Sequence, residues 1–127
     1  MTRDEVMALS KGELRVEIAK ALGFMGVHHG DNDTLWGHKT INSYQYSDLP
    51  DWPNDIKAAF DLAENVRSQG YTFDLSMDEK VTGKQDRVMV MFSIISLDLP
   101  YPIQAEAETA PLAISRAWLI WKKESEK

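Results

Sequence analysis

At Gly70 the spacing of apolar residues changes, and this change constrains the fold more than any other feature of the chain. Upstream, Ile56, Ala59, Phe60, Ala63 and Val66 recur at helical spacing, while downstream Tyr71, Phe73, Leu75 and Met77 alternate with Thr72, Asp74 and Ser76. The first period belongs to an amphipathic helix and the second to a strand with one wet face, so a helix hands over to a strand at the glycine. The polar stretch 78–87, which contains Gly83, then reads as a turn. Residues 88–96 are apolar almost throughout, as in a strand covered on both faces. After Pro100 and Pro102, residues 103–107 offer a shorter third strand. Pro111 opens a last helix at a position where its missing N–H costs nothing.

Helix signals also stand near the start of the chain. Thr2 or Asp4 can open a short helix, and Ser10-Lys11-Gly12-Glu13 is a capping-box pattern. Behind that box Leu14, Ile18, Ala21 and Leu22 form one stripe, and Gly23 can end the helix in a left-handed conformation. Pro53-Asn54-Asp55 begins the middle helix, with proline suited to a first helical position and Asn or Asp to a cap. Between these helices, residues 24–52 are turn-rich. So long a loop is unusual unless it is functional or hides a strand, and 39–46 (K-T-I-N-S-Y-Q-Y) alternates well enough to be a short edge strand. Its frequent aromatics predict an ordered loop with a small core of its own.

These elements add up to an α+β fold: a largely antiparallel sheet of three to four strands carrying the first, middle and last helices. At 127 residues the chain has the size of one domain and can bury a core without metal or disulfide support. The chain has no cysteine, which excludes a disulfide scaffold, a thiolate nucleophile and sulfur-rich zinc sites. A net charge of -6 repels phosphate backbones, so nucleic acid is not the expected partner. The first ten residues carry charges where a signal peptide needs an apolar run, and 88–95 is too short to span a bilayer. The cytoplasm is the expected location and no membrane partner is expected.

In the last helix Ile114, Ala117, Trp118 and Trp121 share one stripe, Leu112 and Leu119 form a second line, and Arg116 falls between them. Tryptophan on such a stripe belongs to a core. Trp121 stands next to the charged ending K-K-E-S-E-K and is expected to be partly exposed.

Two groups of residues could carry a function. His28, His29, Asp31, Asp33 and His38 crowd the irregular loop, and imidazole with carboxylate suits zinc, manganese or iron. The same set can be a solvated turn, and no H-E-x-x-H spacing on a helix supports a catalytic metal. No metal and no cofactor is therefore expected. The second group is aromatic: Trp36, Tyr44, Tyr46, Trp52 and Tyr101. Such residues are either rigid contact groups for a ligand or partner, or plugs folded over a sheet edge or helix end. No catalytic residue can be named: the chain has no G-x-S-x-G elbow and no phosphate-binding G-x-x-x-x-G-K-[ST] loop. Carboxylate pairs on helices (Glu13 with Glu17, Asp61 with Glu64) read as solvated faces.

Two short patterns resemble a known family. L-P-x-W-P-N-D-I-x-A-A-F contains Trp52, Pro53, Asn54, Asp55, Ile56, Ala59 and Phe60, while A-I-S-R-A-W-L runs from Ala113 through Ile114, Ser115, Arg116, Ala117 and Trp118 to Leu119. With the helix ending A-L-G-F, they resemble the phage ABA-sandwich domain family over roughly residues 5–122. Pro53 stands where the family has a serine cap, and Trp118 where it has a small alanine. The resemblance implies a sheet with helices on both faces, an α-β-α sandwich, and a phage or prophage origin, but no activity. Together the readings point to a non-enzymatic binding module acting on a host protein or small ligand. A metal-dependent hydrolase using His28, His29 and His38 is the alternative, and self-assembly through a sheet edge is a third reading.

Overall fold

The computed structural model describes residues 1–29, 34–38, 47–78, 89–95 and 102–126, with backbone alone at 47, 73–78 and 89–95. Among these residues the chain forms α1 (Arg3–Met7), α2 (Lys11–Ala21), β1 (Met25–His29), β2 (Leu35–His38) and β3 (Ser47–Asp48). It continues with α3 (Ile56–Arg67), β4 (Thr72–Asp78), β5 (Met89–Ile95), β6 (Ile103–Ala105) and α4 (Ala110–Ser125). The class is mixed α+β, and every strand pair is antiparallel.

Local chemistry sets the helix ends. Thr2 and Ser10 each accept a bond from a backbone N–H three residues on, at Glu5 and Glu13, whose side chains bond back to the cap N–H. Both capping boxes satisfy donors that have no partner inside the helix. At the other end of α2, Gly23 takes φ 95, its N–H reaches the Lys20 carbonyl, and the Phe24 N–H reaches Ala19. This paired closure needs a left-handed residue, which glycine adopts without a Cβ clash.

The strands form two three-stranded sheets, β1–β2–β3 and β4–β5–β6. The second holds the elements on either side of the period change: Phe73 pairs with Ile94, Leu75 with Phe92, and Ile94 in turn with Ile103. The first sheet lies where an irregular loop is expected, so one sheet becomes two. Its strands are short, β1 is mostly exposed while β2 is buried or half-buried, and the register shifts between Met25 and His28, where Gly26 takes φ 61. A bulge there breaks the alternation that would mark a strand. The edge strand expected over 39–46, the turn after Asp78 and the segment 96–101 lie outside the described residues.

Helix α4 is the hub, packing against α1, α2, α3, β5 and β6. It buries Leu112, Ala113, Ile114 and Ser115, then every residue from Ala117 to Trp121, so it is covered nearly all round and only Arg116 interrupts the run. Trp118 is 1% exposed and its Nε1 donates to Asn65 Oδ1 at 3.2 Å. Trp121, expected to be partly exposed, is also buried. The helix continues to Ser125, which places this residue inside it, and Tyr71 packs edge-on against the indole at 5.4 Å.

Helix α3 also departs from expectation. Its buried residues are Ala58, Ala59, Leu62, Ala63 and Val66, while Ile56 and Phe60 are exposed. The helix is turned so that its alanines, rather than its two largest apolar side chains, sit on the covered face, where α3 packs on α4. Bulky indoles on one helix are accommodated by small residues on the other. The cap is Asp55, which accepts from the Lys57 N–H, and Pro53 is buried in the turn before it.

Candidate functional site

Of the five aromatic residues proposed as contact groups, Tyr44, Tyr46 and Tyr101 lie outside the described residues. Trp36 is half-buried on β2, its Nε1 donating to Thr34 Oγ1 at 3.0 Å. Trp52 is buried at 3% exposure and belongs to the core cluster. The two described indoles therefore do not form one exposed patch.

The histidines fall on the first hairpin. His28 and His29 stand on β1, and His38 on β2, opposite Met25. His28 Nδ1 lies 2.8 Å from the Gly26 carbonyl and His38 Nδ1 3.3 Å from the Met25 carbonyl. A carbonyl only accepts, so these bonds select the Nδ1–H form at both rings. Among the described residues no three His, Asp or Glu side chains converge on a metal position, and Asp31 and Asp33 lie outside those residues.

Two arginines matter more than either group. Arg15 is turned inward from α2, with 8% of its surface exposed. Its Nε donates to the Pro50 carbonyl at 3.0 Å and its Nη2 to the Leu49 carbonyl, with Asp48 Oδ1 at 3.4 Å. One guanidinium thus ties α2 to the turn that leads into Trp52. The fork suits adjacent oxygens in a way a lysine does not.

Arg116 has a different setting. Helix α1 is anchored by buried Val6 and by Arg3, whose Nε donates to the Gln104 carbonyl at 3.3 Å. The α1–α2 junction therefore faces the connection between β6 and α4, leaving a cleft of about 490 Å³. Met7, Leu9 and Lys11 line one wall, Glu106 and Glu108 the other, with Leu112 and Arg116 contributed by α4. Arg116 Nη1 donates to the Glu106 carbonyl at 2.9 Å, while its buried Nε has no partner among the described residues. Burial pushes the guanidinium below its ordinary pKa, and the neighbouring Glu108 carboxylate opposes that shift. Arginine keeps its charge regardless, so the cleft holds a partly dry cation.

No family model, curated protein or solved structure matches the chain. The cleft must therefore be read from its own chemistry. It combines apolar residues (Met7, Leu9, Ala107 and Leu112) with more charge than an ordinary small-molecule site, and its volume lies inside the common range of roughly 300–1,000 Å³. Sequence reasoning placed Arg116 between two apolar stripes and went no further. The missed signal is that Arg116 is the one charged residue between Glu108 and Lys122. A lone charge in a run that is otherwise core marks a place where the core opens to the surface.

Proposed function

We propose that the chain is a non-enzymatic binding module whose site is the Arg116 cleft. The observation that supports this most directly is the meeting of apolar side chains with a partly desolvated guanidinium that, among the described residues, bonds only to the Glu106 carbonyl and leaves its Nη2 unenclosed. The resemblance to phage ABA-sandwich proteins extends the reading. The chain would be a phage or prophage accessory protein acting in the host cytoplasm, with an α-β-α arrangement around its sheet, on a small ligand or short segment of a host protein. Among the described residues no helix is long and apolar enough to cross a membrane.

A fragment screen by ligand-observed NMR tests the site. Hits are expected on the wild-type protein and should vanish in Ala107→Trp, which fills the cleft from a half-buried connecting residue. Hits that survive in a folded Ala107→Trp protein would place binding elsewhere. The competing hydrolase reading predicts about one zinc or manganese per purified chain by elemental analysis, and the binding reading predicts none.

A further inference from the structure

We infer that the cleft takes a small zwitterion: a primary ammonium carboxylate with an aliphatic or thioether side chain, of amino-acid to dipeptide size. This rests on the reading of the cleft as a binding site and specifies what it recognises. The ionisable residues lining it are two cations, Lys11 and Arg116, and two acids, Glu106 and Glu108. None of the four is joined to another by an ion pair among the described residues. A site for a simple anion gains nothing from two carboxylates that repel it, and a site for a simple cation gains nothing from a guanidinium. A molecule carrying both charges uses all four groups.

The two ends of such a ligand find different chemistry. Among the described residues the Arg116 guanidinium bonds only to the Glu106 carbonyl, leaving Nη donors for a carboxylate, a group that arginine recognises well. Glu108 is close enough to Arg116 to influence its charge, so an ammonium held at Glu108 sits near a carboxylate held at Arg116. Between them Met7, Leu9 and Leu112 give the apolar surface for a side chain, and methionine adapts its shape to what it meets. A volume of about 490 Å³ accommodates a dipeptide and excludes a folded partner.

Isothermal titration with L-leucine, L-leucyl-L-leucine, its N-acetyl form and its C-terminal amide tests the inference. At least one of the two zwitterions should bind, each blocked dipeptide should bind roughly tenfold or more weakly than its parent, and Arg116→Gln should produce a loss of the same order. Glu108→Gln should narrow the gap between the free and acetylated dipeptides, and Lys11→Gln, at an exposed position, gives a second test of the carboxylate end. Blocked forms that bind as tightly as the free dipeptide would overturn the zwitterion while leaving the cleft as a binding site. Silence from all four probes alongside cleft-dependent NMR hits would have the same meaning. If NMR hits are lacking as well, both readings fall together.

Discussion

Arg15 on α2 and Arg116 on α4 both extend from a helix into partly dry surroundings, yet they are satisfied to different degrees. Arg15 meets two backbone carbonyls and the Asp48 carboxylate, and it closes α2 onto the turn before Trp52. Among the described residues Arg116 meets one carbonyl and keeps a buried Nε without an acceptor, on the wall of a cleft. The first arrangement is what stability asks of a buried cation, since every donor removed from water should be paired. The second is what binding asks, because donors already paired within the protein cannot recognise anything else. Burial alone does not separate a structural arginine from a recognising one, but the inventory of their partners does.

The comparison needs a scale, and Trp118 supplies its upper end. Replacing Trp118 with Ala removes an indole that is 1% exposed at the hub of the fold and deletes its bond to Asn65. A loss of about 3–5 kcal/mol is expected, a large part of a domain's usual 5–15 kcal/mol. Chemical denaturation measures it. A loss under about 1 kcal/mol would mean that α4 is not the centre of the core, and the contrast between its buried faces and its Arg116 side would lose its basis.

Arg15→Met comes next. The Asp48 contact adds little because that carboxylate is largely exposed, so most of the effect comes from the two carbonyls that lose a charged donor. About 2–3 kcal/mol is expected. Arg15→Lys should recover only part of it, because one ammonium cannot span two adjacent carbonyls as the fork does. Full recovery by lysine would show that charge rather than geometry holds the turn.

How far such distinctions can be read from sequence depends on the distance over which each feature acts. The capping box at Ser10 and the Gly23 closure were legible because they act within a few residues, and Thr2 was one of two possible starts for the first helix. The strands β4, β5 and β6 were legible from alternation, apolar runs and prolines. The β1–β2 hairpin was not: β1 is exposed and bulged, and both strands carry histidines and glycine where an apolar alternation would be needed. The rotation of α3 was not legible either, since helical spacing says that a face is buried but not which of two overlapping faces fits the indoles of α4. The cleft was hidden most deeply. Its walls meet because Arg3 reaches Gln104, 101 positions away, and no local pattern carries such a contact. Of the candidate site residues, Trp52 shows the limit well: sequence marked it as notable, and only packing could assign it to the core.

The smallest expected effect on stability belongs to Arg116→Met, and it bears most directly on the comparison. This change removes one bond to the Glu106 carbonyl, worth about 1 kcal/mol or somewhat more for a charged donor. It also removes a partly desolvated guanidinium whose Nε has no acceptor among the described residues, which offsets part of that loss. Methionine keeps much of the apolar stem that packs beside Leu112, and it is a good helix former. The terms oppose each other, so the unfolding free energy should change by no more than about 0.5 kcal/mol in either direction, within the range of ordinary surface substitutions. Paired with Arg15→Met, this gives a difference of about 2 kcal/mol between two arginine-to-methionine changes on helices of one protein. Equal losses at both sites would mean that Arg116 is as structural as Arg15, with its Nε satisfied in solution by water or by movement of the cleft wall. A near-zero effect at Arg116 together with the loss of dipeptide binding would show that its free donors serve recognition rather than the fold.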